Sequence, residues 1–265
     1  MDSYIICSTP RTGSTLLCDL LAATKVAGDP DSFFMRNVDQ VWVERWGLPN
    51  RDDLDDAGYA AAYLAAAVRA GKGDTAIFGL RLMRENLDDL SVLIDRAVPG
   101  LPSDRARLEK AFGRILYIHL TREDKLAQAV SMIKAEQTGL WHIAPDGTEL
   151  ERLAPPGEPI YDFGRIARKL AQLEKHDAAW LSWFEAQGIE PLRIGYESLS
   201  VDPAGAVSSI RTALGIASPT ASTLKPGVAR LADAVSREWM RRYRSEADAS
   251  GTGGVQNPTA VPNRS

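Results

Sequence analysis

Apolar residues along the chain form two kinds of run, short continuous ones and longer ones with helical spacing. The short runs are rich in residues that favour strands and are bounded by polar or turn-forming residues. They predict buried β-strands at 4–7, 75–83, 114–120 and 192–196. In the longer runs, apolar residues recur every three or four positions, as on one face of a helix. These runs predict helices at 14–24, 57–70, 86–97, 124–138 and 163–187.

Strands that alternate with helices are typical of an α/β fold with a mostly parallel central sheet. We expect three layers, with helices flanking the sheet and a nucleotide-binding architecture that is similar to a P-loop. The longest helical pattern predicts an apolar face made of Ile166, Leu170, Leu173, Trp180, Leu181 and Phe184.

A single domain is expected over residues 1–246, because no composition shift or internal repeat divides them. Residues 139–159 are rich in Pro and Gly and predict an ordered loop or lid rather than a domain boundary. The last segment, 247–265, lacks an apolar period over most of its length and is expected to be a flexible tail.

Composition and charge exclude several classes of protein. With 31 Lys and Arg against 35 Asp and Glu, the net charge is −4, so the chain lacks the basic excess of nucleic-acid-binding proteins. Cys7 and Cys18 lie in apolar runs and are expected to be buried free thiols. The three histidines follow no metal-ligand spacing, so no metal site is expected. The N-terminus has neither a signal peptide nor a membrane segment, which predicts a cytoplasmic protein without stable membrane insertion.

Residues 8–15, between the first strand and the first helix, have the composition of an anion-binding loop. Such a loop presents free backbone N–H groups at the positive end of the helix dipole. Gly13 allows a ligand to approach the backbone closely. Charge and hydroxyl donors come from Arg11, Thr12, Ser14 and Thr15. An ordinary strand–turn–helix corner is the alternative interpretation.

This loop departs from the nucleotide P-loop pattern GxxxxGK[ST] at two positions. Ser8 stands in place of the first Gly, and Ser14 stands in place of the Lys that contacts the β- and γ-phosphates. The basic residue is Arg11 instead. A 5′-phosphate with one attached group fits this loop better than a triphosphate with magnesium.

A second candidate anion site follows the third strand. Arg122 lies at the carboxyl end of that strand, which is the ligand-binding edge of a parallel sheet. Ser131 lies about two turns into the following helix, so both can contact one ligand only if the helix runs past it. A surface salt bridge is the alternative role for Arg122.

These segments together resemble the sulfotransferases that use 3′-phosphoadenosine 5′-phosphosulfate. The stretch STPRTGSTLL is similar to their 5′-phosphosulfate loop, and TREDKLAQAVS is similar to the element that binds the 3′-phosphate. The stretch YESL, which begins at Tyr196, is similar to the one that places a Tyr near the adenine. The resemblance therefore implies this donor as co-substrate, with Arg11, Arg122, Ser131 and Tyr196 among its contacts.

Within that class the chain most resembles the bacterial trehalose 2-sulfotransferases. The further matching stretches are VAGDP with the following FF, then GLRLM, and near the C-terminus SREWMRRYR. Where the family has Glu, Lys and Ser, this chain has Asp29, Arg81 and Ala127. The resemblance implies a small carbohydrate-like acceptor (trehalose, another sugar or a glycolipid) and a homodimer. Residues between Phe34 and Ala76 show little likeness, so the sequence does not identify the acceptor.

The resemblance also implies roles in catalysis. The acid after VAG acts as general base in the family, which assigns Asp29 to that role, with Asp31 and more weakly His119 as alternatives. Arg81 is expected to stabilise the transferring group or the bridging oxygen. A nucleotide kinase and a nucleotide-binding protein without chemistry remain the alternatives to a sulfotransferase.

Five further residues have either open or structural roles. Trp141 is expected either to contact a ligand or to pack in the lid. Arg242 and Arg244 either approach the 3′-phosphate or are solvated. Trp180 and Trp183 are expected in the core.

Overall fold

The computed structural model describes residues 1–35, 39–49, 51–144, 146–216 and 233–251. Within these residues lie six strands, β1 to β6, at Ser3–Ser8, Phe78–Met83, Ile115–Thr121, Leu140–Ile143, Glu149–Arg152 and Leu192–Gly195. The same part of the chain contains ten α-helices, α1 to α10, at Ser14–Ala23, Asp39–Trp46, Asp56–Lys72, Leu87–Ala97, Asp104–Phe112, Lys125–Thr138, Phe163–Ala186, Tyr196–Val201, Pro203–Leu214 and Ala234–Ala249.

Four strands form a parallel sheet in the order β2-β1-β3-β6, which confirms the predicted α/β class. Ser8 at the end of β1 pairs with Met83 of β2 and Leu120 of β3, so these carboxyl ends lie level. After β1 the chain forms β2 on one side of β1, and after β3 it forms β6 on the other side. Such a switch between neighbouring strands opens a crevice at their carboxyl ends, where ligands bind in open α/β sheets.

Both faces of the sheet are covered by helices, because the side chains of β1 alternate between two apolar clusters. Ile5 and Cys7 pack in a cluster with α3, α4, α5 and α7. Tyr4 and Ile6 pack in a second cluster with α1, α8 and α9. A third cluster joins α6, α7 and α10. The predicted burial of Cys7 and Cys18 as free thiols is confirmed.

The structure corrects one prediction about α7. Leu181 was assigned to the buried face, but it is 43% exposed, so that assignment is wrong. The buried stripe is instead Trp180, Trp183 and Phe184, at the i, i+3, i+4 spacing of one helix face. Leu181 lies one position past Trp180, about 100° around the helix, and therefore points outward.

Residues 139–159, which were expected to form an ordered loop or lid, contain an antiparallel hairpin of β4 and β5. Gly139 has a φ of 69° and ends α6, and Gly147 has a φ of 89° in the hairpin turn. At the other end of the chain, α10 continues to Ala249, past the predicted start of the tail at 247. Residues 252–265 of that tail lie outside the described residues. Among the described helices, none is long and apolar enough to span a membrane.

Candidate active site

The loop between β1 and α1 has a constrained backbone. Gly13 has a φ of 82°, and a Cβ at this position would lie 2.8 Å from Cδ2 of Tyr196, so only glycine fits. Arg11 has a φ of 66° although it is not a glycine. A left-handed backbone costs such a residue about 1–2 kcal/mol, and strain of this kind clusters at functional sites.

Buried hydrogen bonds fix the shape of this β1–α1 loop. The Thr12 hydroxyl donates to the Thr9 carbonyl over 2.9 Å, so its proton is committed within the loop. The amide of Gln128 donates to Thr9 Oγ1 over 2.9 Å and to the Pro10 carbonyl over 2.6 Å. Gly13 is the N-cap of α1 and provides no side-chain cap, so the backbone N–H groups of the first turn remain available to an anion.

One group of side chains gathers beside this loop, and we call it the Arg11–Arg122 centre. It consists of Arg11, Arg122, Ser131 and Tyr196. Arg11 Nε donates to Ser131 Oγ over 3.1 Å, and Arg11 Nη1 donates to the Trp141 carbonyl over 2.7 Å. Arg122 Nη1 donates to the Arg11 carbonyl over 3.3 Å, and its guanidinium carbon lies 4.5 Å from the centroid of the Tyr196 ring. The two predicted anion sites therefore form one continuous centre.

The Arg11 guanidinium lies close to a second guanidinium and is hydrogen-bonded to uncharged groups. Burial, followed by the proximity of Arg122, lowers the pKa of Arg11 to about 10. Its hydrogen-bond acceptors are a hydroxyl and a carbonyl, which carry no charge. Arg11 and Arg122 repel each other, and the acceptors of Arg11 do not offset its charge. An anion that binds between the two guanidinium groups therefore stabilises both.

A second group surrounds Arg81, and we call it the Arg81–Asp31 centre. Arg81 donates from Nη1 to Thr15 Oγ1 over 2.7 Å, from Nε to Ser32 Oγ over 2.8 Å and from Nη2 to Asp31 Oδ1 over 3.2 Å. The Arg81 side chain is 18% exposed and the Asp31 side chain is 48% exposed. This centre thus combines a fixed guanidinium, the first-turn hydroxyl of α1 and a carboxylate that is open to solvent.

The two candidate acids lie at different levels of the sheet. Asp31 bridges Leu80 in parallel pairing, and its carbonyl accepts from the Arg81 N–H over 3.1 Å. The N–H of Asp29 instead donates to the Gly71 carbonyl over 2.9 Å, next to the start of β2. Asp29 lies two residues before Asp31 and outside that bridge. The geometry favours Asp31 over Asp29 as the acid of the site.

The comparisons agree with this geometry. The model of the Stf0 sulphotransferase family matches residues 3–246. The chain belongs to the Stf0 sulphotransferase family. It is 30% identical over 268 residues to a trehalose 2-sulfotransferase from Mycobacterium tuberculosis, with 94% of this chain and 96% of that protein covered. It is also 30% identical over 269 residues to a trehalose 2-sulfotransferase from Mycolicibacterium smegmatis, with 94% and 97% covered. The resemblance of the sequence motifs to this sulfotransferase family is therefore confirmed.

In this Stf0 sulphotransferase, His119 is part of a buried network below the site. It is 3% exposed, and its Nε2 lies 3.5 Å from Asp177 Oδ1. Lys125 Nζ lies 2.5 Å from the other carboxylate oxygen, to which Thr121 also donates. Although burial opposes it, hydrogen bonds from His119, Lys125 and Thr121 lower the pKa of Asp177 to about 2. The arrangement favours a role in holding the end of β3 rather than that of a base.

The remaining candidates lie apart from the two centres or contact them through the backbone. Trp141 contacts Arg11 through its carbonyl, and its ring centroid lies 6.0 Å from the guanidinium carbon. Arg242 lies over the ring of Tyr161 and donates to Glu246 over 2.8 Å, and Arg244 is exposed. Trp180 and Trp183 are buried as predicted, and Trp180 Nε1 donates to the Ser8 carbonyl over 2.9 Å.

Three residues at the site had no predicted role in it. Gln128 lies on the same face of α6 as Ser131, so the i, i+3 spacing was a usable signal. Ser32 and His142 reach the site through the tertiary fold, and no local pattern indicates them. Among the described residues, no three His, Cys, Asp or Glu side chains are grouped so that they could hold a metal ion.

Proposed function

We propose that the protein transfers a sulfuryl group from 3′-phosphoadenosine 5′-phosphosulfate to a hydroxyl group of a carbohydrate-like acceptor. The observation that carries the proposal is the Arg11–Arg122 centre at the open N-terminus of α1. Two guanidinium groups, a hydroxyl and an aromatic ring suit a nucleotide that bears two separate anionic groups. Membership of the Stf0 family supports the reaction type.

The donor contacts follow from the arrangement of this centre. The backbone N–H groups of residues 12–15 and the hydroxyls of Ser14 and Thr15, together with Arg11, bind the 5′-phosphosulfate. Arg122 and Ser131 bind the 3′-phosphate, and the adenine packs near Tyr196. In the free protein Arg11 donates to Ser131, so phosphate oxygens of the donor replace that hydrogen bond on binding.

The chemistry needs alignment, charge stabilisation and one proton acceptor, and no metal is required. The acceptor oxygen forms a bond to sulfur while the bond from sulfur to the bridging oxygen breaks, and 3′-phosphoadenosine 5′-phosphate leaves. Arg81 stabilises negative charge on the sulfuryl or bridging oxygen. Asp31 takes the hydroxyl proton as general base, since it is the carboxylate held at Arg81; Asp29 is the second candidate.

Trehalose is the first acceptor to test, because both similar proteins are trehalose 2-sulfotransferases. The segment between Phe34 and Ala76 shows little likeness to that group, so another sugar or a glycolipid is the alternative. Ser14 in place of the P-loop Lys disfavours a nucleotide kinase. A homodimer remains part of the proposal, on the resemblance alone.

The test is an incubation of the purified protein with the donor and trehalose, followed by mass spectrometry. We expect a sugar product that has gained SO3, with one 3′-phosphoadenosine 5′-phosphate released for each product. If trehalose is inert, a panel of sugars and glycolipids follows. Donor binding without sulfation of any acceptor would support the non-catalytic alternative, and ATP turnover with magnesium would support a kinase.

A further inference from the structure

The hairpin of β4 and β5 carries a histidine to the β1–α1 loop. His142 Nε2 lies 3.2 Å from Thr15 Oγ1, the hydroxyl that also accepts from Arg81. The same nitrogen lies 3.3 Å from Glu151 Oε2, on the paired strand of the hairpin. The preceding carbonyl, of Trp141, accepts from Arg11. Two successive hairpin residues therefore contact the loop.

The groups that face His142 come from several elements. Arg11 comes from the loop, Arg81 from β2 and Glu151 from β5, and the neutral hydroxyl of Thr15 comes from α1. Burial, followed by the charges of Arg11 and Arg81, lowers the pKa of His142 to about 4. The Glu151 carboxylate acts in the opposite direction, but it is 44% exposed and thus partly screened. In the free protein the imidazole is therefore neutral at pH 7.

A phosphosulfate at this loop reverses the local charge balance. The two arginines that disfavour the imidazolium are the same two that face the donor anion. An anion beside Arg11 and Arg81 compensates their charges and adds negative potential next to His142. Thr15 places the imidazole one hydrogen bond away from the anion.

We propose that His142 is a proton-linked binding residue for the donor: neutral in the free protein, it takes up a proton from solvent when the phosphosulfate binds. The resulting imidazolium adds a third cation at the sulfuryl end of the site. The inference rests on the proposed function, because it needs a phosphosulfate or a similar anion at the β1–α1 loop.

Proton uptake by His142 makes donor affinity depend on pH. Binding takes up a proton, so affinity tightens as pH falls through the range in which only the complex is protonated. The lower limit of this pH range is near pH 4, the pKa of His142 in the free protein. The upper limit of the range is the pKa that His142 takes in the complex. Affinity should change by at most about tenfold per pH unit for one linked proton.

Adenosine 5′-phosphosulfate is a suitable probe, because none of its acidic groups titrates in that range. The probe is titrated into the full-length protein by calorimetry, in two buffers of different ionisation enthalpy, and the difference gives the protons taken up. We expect net proton uptake by the wild type and none by His142→Gln, which keeps a neutral side chain. His176→Gln, on α7 and outside both centres, should retain the wild-type uptake.

Binding of the probe without proton uptake by the wild type would overturn this inference and leave the proposed function intact. Uptake that persists in His142→Gln would also overturn it. If the wild type binds neither the probe nor 3′-phosphoadenosine 5′-phosphate, the proposed function is overturned, and the inference with it. If the variant does not fold, absence of proton uptake by the wild type would still overturn the inference.

Discussion

Two arginine centres flank the β1–α1 loop, and they differ in what surrounds the guanidinium. Arg11 is held by a hydroxyl and a carbonyl, lies close to Arg122 and has a left-handed backbone. Arg81 is held by two hydroxyls and by the carboxylate of Asp31. In the first centre Arg11 is hydrogen-bonded to uncharged groups, whereas in the second centre Arg81 is paired with a carboxylate.

Under the proposed function, this difference assigns donor binding to the first centre and the transfer step to the second. A guanidinium with neutral acceptors beside a second guanidinium gains most when a multiply charged anion arrives, so the Arg11–Arg122 centre suits the nucleotide. A guanidinium that is already paired keeps its orientation and gains less from the anion. It also keeps a carboxylate near the reacting atoms, which suits a step in which a proton must leave. The predictions below are ordered from the largest expected effect to the smallest.

The largest effect is expected from Asp31→Asn in the second centre. The variant keeps the shape but removes the basicity, and a positioned general base contributes about 10²–10⁴-fold to the rate. We expect turnover at saturating donor and acceptor to fall by at least about a hundredfold. The measurement is the rate at which the sulfated sugar forms.

Asp29→Asn is the matched control, since it removes an acid two residues away whose backbone N–H donates to the Gly71 carbonyl. We expect it to lose much less activity than Asp31→Asn. If turnover falls further in Asp29→Asn than in Asp31→Asn, the general base is Asp29, as the family resemblance implies, and the proposed role of Asp31 fails.

The next effect concerns the first centre. Arg122→Ala should weaken binding of 3′-phosphoadenosine 5′-phosphate by roughly tenfold or more, because a charge-assisted hydrogen bond contributes about 1.5–3 kcal/mol. Binding of AMP, which lacks the 3′-phosphate, should weaken less. Arg69→Ala, at an exposed position in the last turn of α3, controls for the change in net charge. Equal losses for both nucleotides would refute the assignment of Arg122.

A third effect distinguishes the acid of the site from an acid that holds the fold. The pKa of Asp177 is lowered to about 2 from its ordinary value of 3.8, so its stabilising effect is complete above pH 3.8 and is lost as pH falls towards 2. Linkage makes this roughly 2 kcal/mol. Asp177→Asn should lower the free energy of unfolding at pH 7 and flatten its decline below about pH 4, measured by denaturant titration. An unchanged pH dependence would argue against the network.

The smallest effect concerns the junction between the loop and Tyr196. Gly13→Ala adds a methyl group 2.8 Å from the ring at a φ of 82°. We expect a loss of stability of about 1–2 kcal/mol from the backbone alone, with a further loss from the ring contact. Gly215→Ala is the matched control, since its φ is 76° and a Cβ there would meet nothing within 4 Å. If both variants lose the same amount of stability in thermal unfolding, the contact with the Tyr196 ring contributes nothing to the effect.

Much of the fold could be predicted because the sheet strands are short, mostly apolar runs and each long helix has an apolar face. The loop could be predicted as an anion site because the strand–loop–helix order fixes the direction of its N–H groups. Leu181 shows the limit of this reasoning: an apolar residue within a helical pattern can still point outward.

The second centre could be predicted only in part. Asp29 and Asp31 lie in the same turn sequence, and only the pairing of Asp31 with Leu80 shows which of them reaches Arg81. His142 lies 127 positions from Thr15 along the chain, so no local pattern connects them. Contacts of this kind depend on tertiary packing and become visible only in the structure.

The division between the two centres is tested most directly by titrating 3′-phosphoadenosine 5′-phosphate into Asp31→Asn and Arg122→Ala side by side. The account predicts wild-type affinity in Asp31→Asn and an affinity reduced by roughly tenfold or more in Arg122→Ala. A loss of product affinity in Asp31→Asn as large as that in Arg122→Ala would contradict the account.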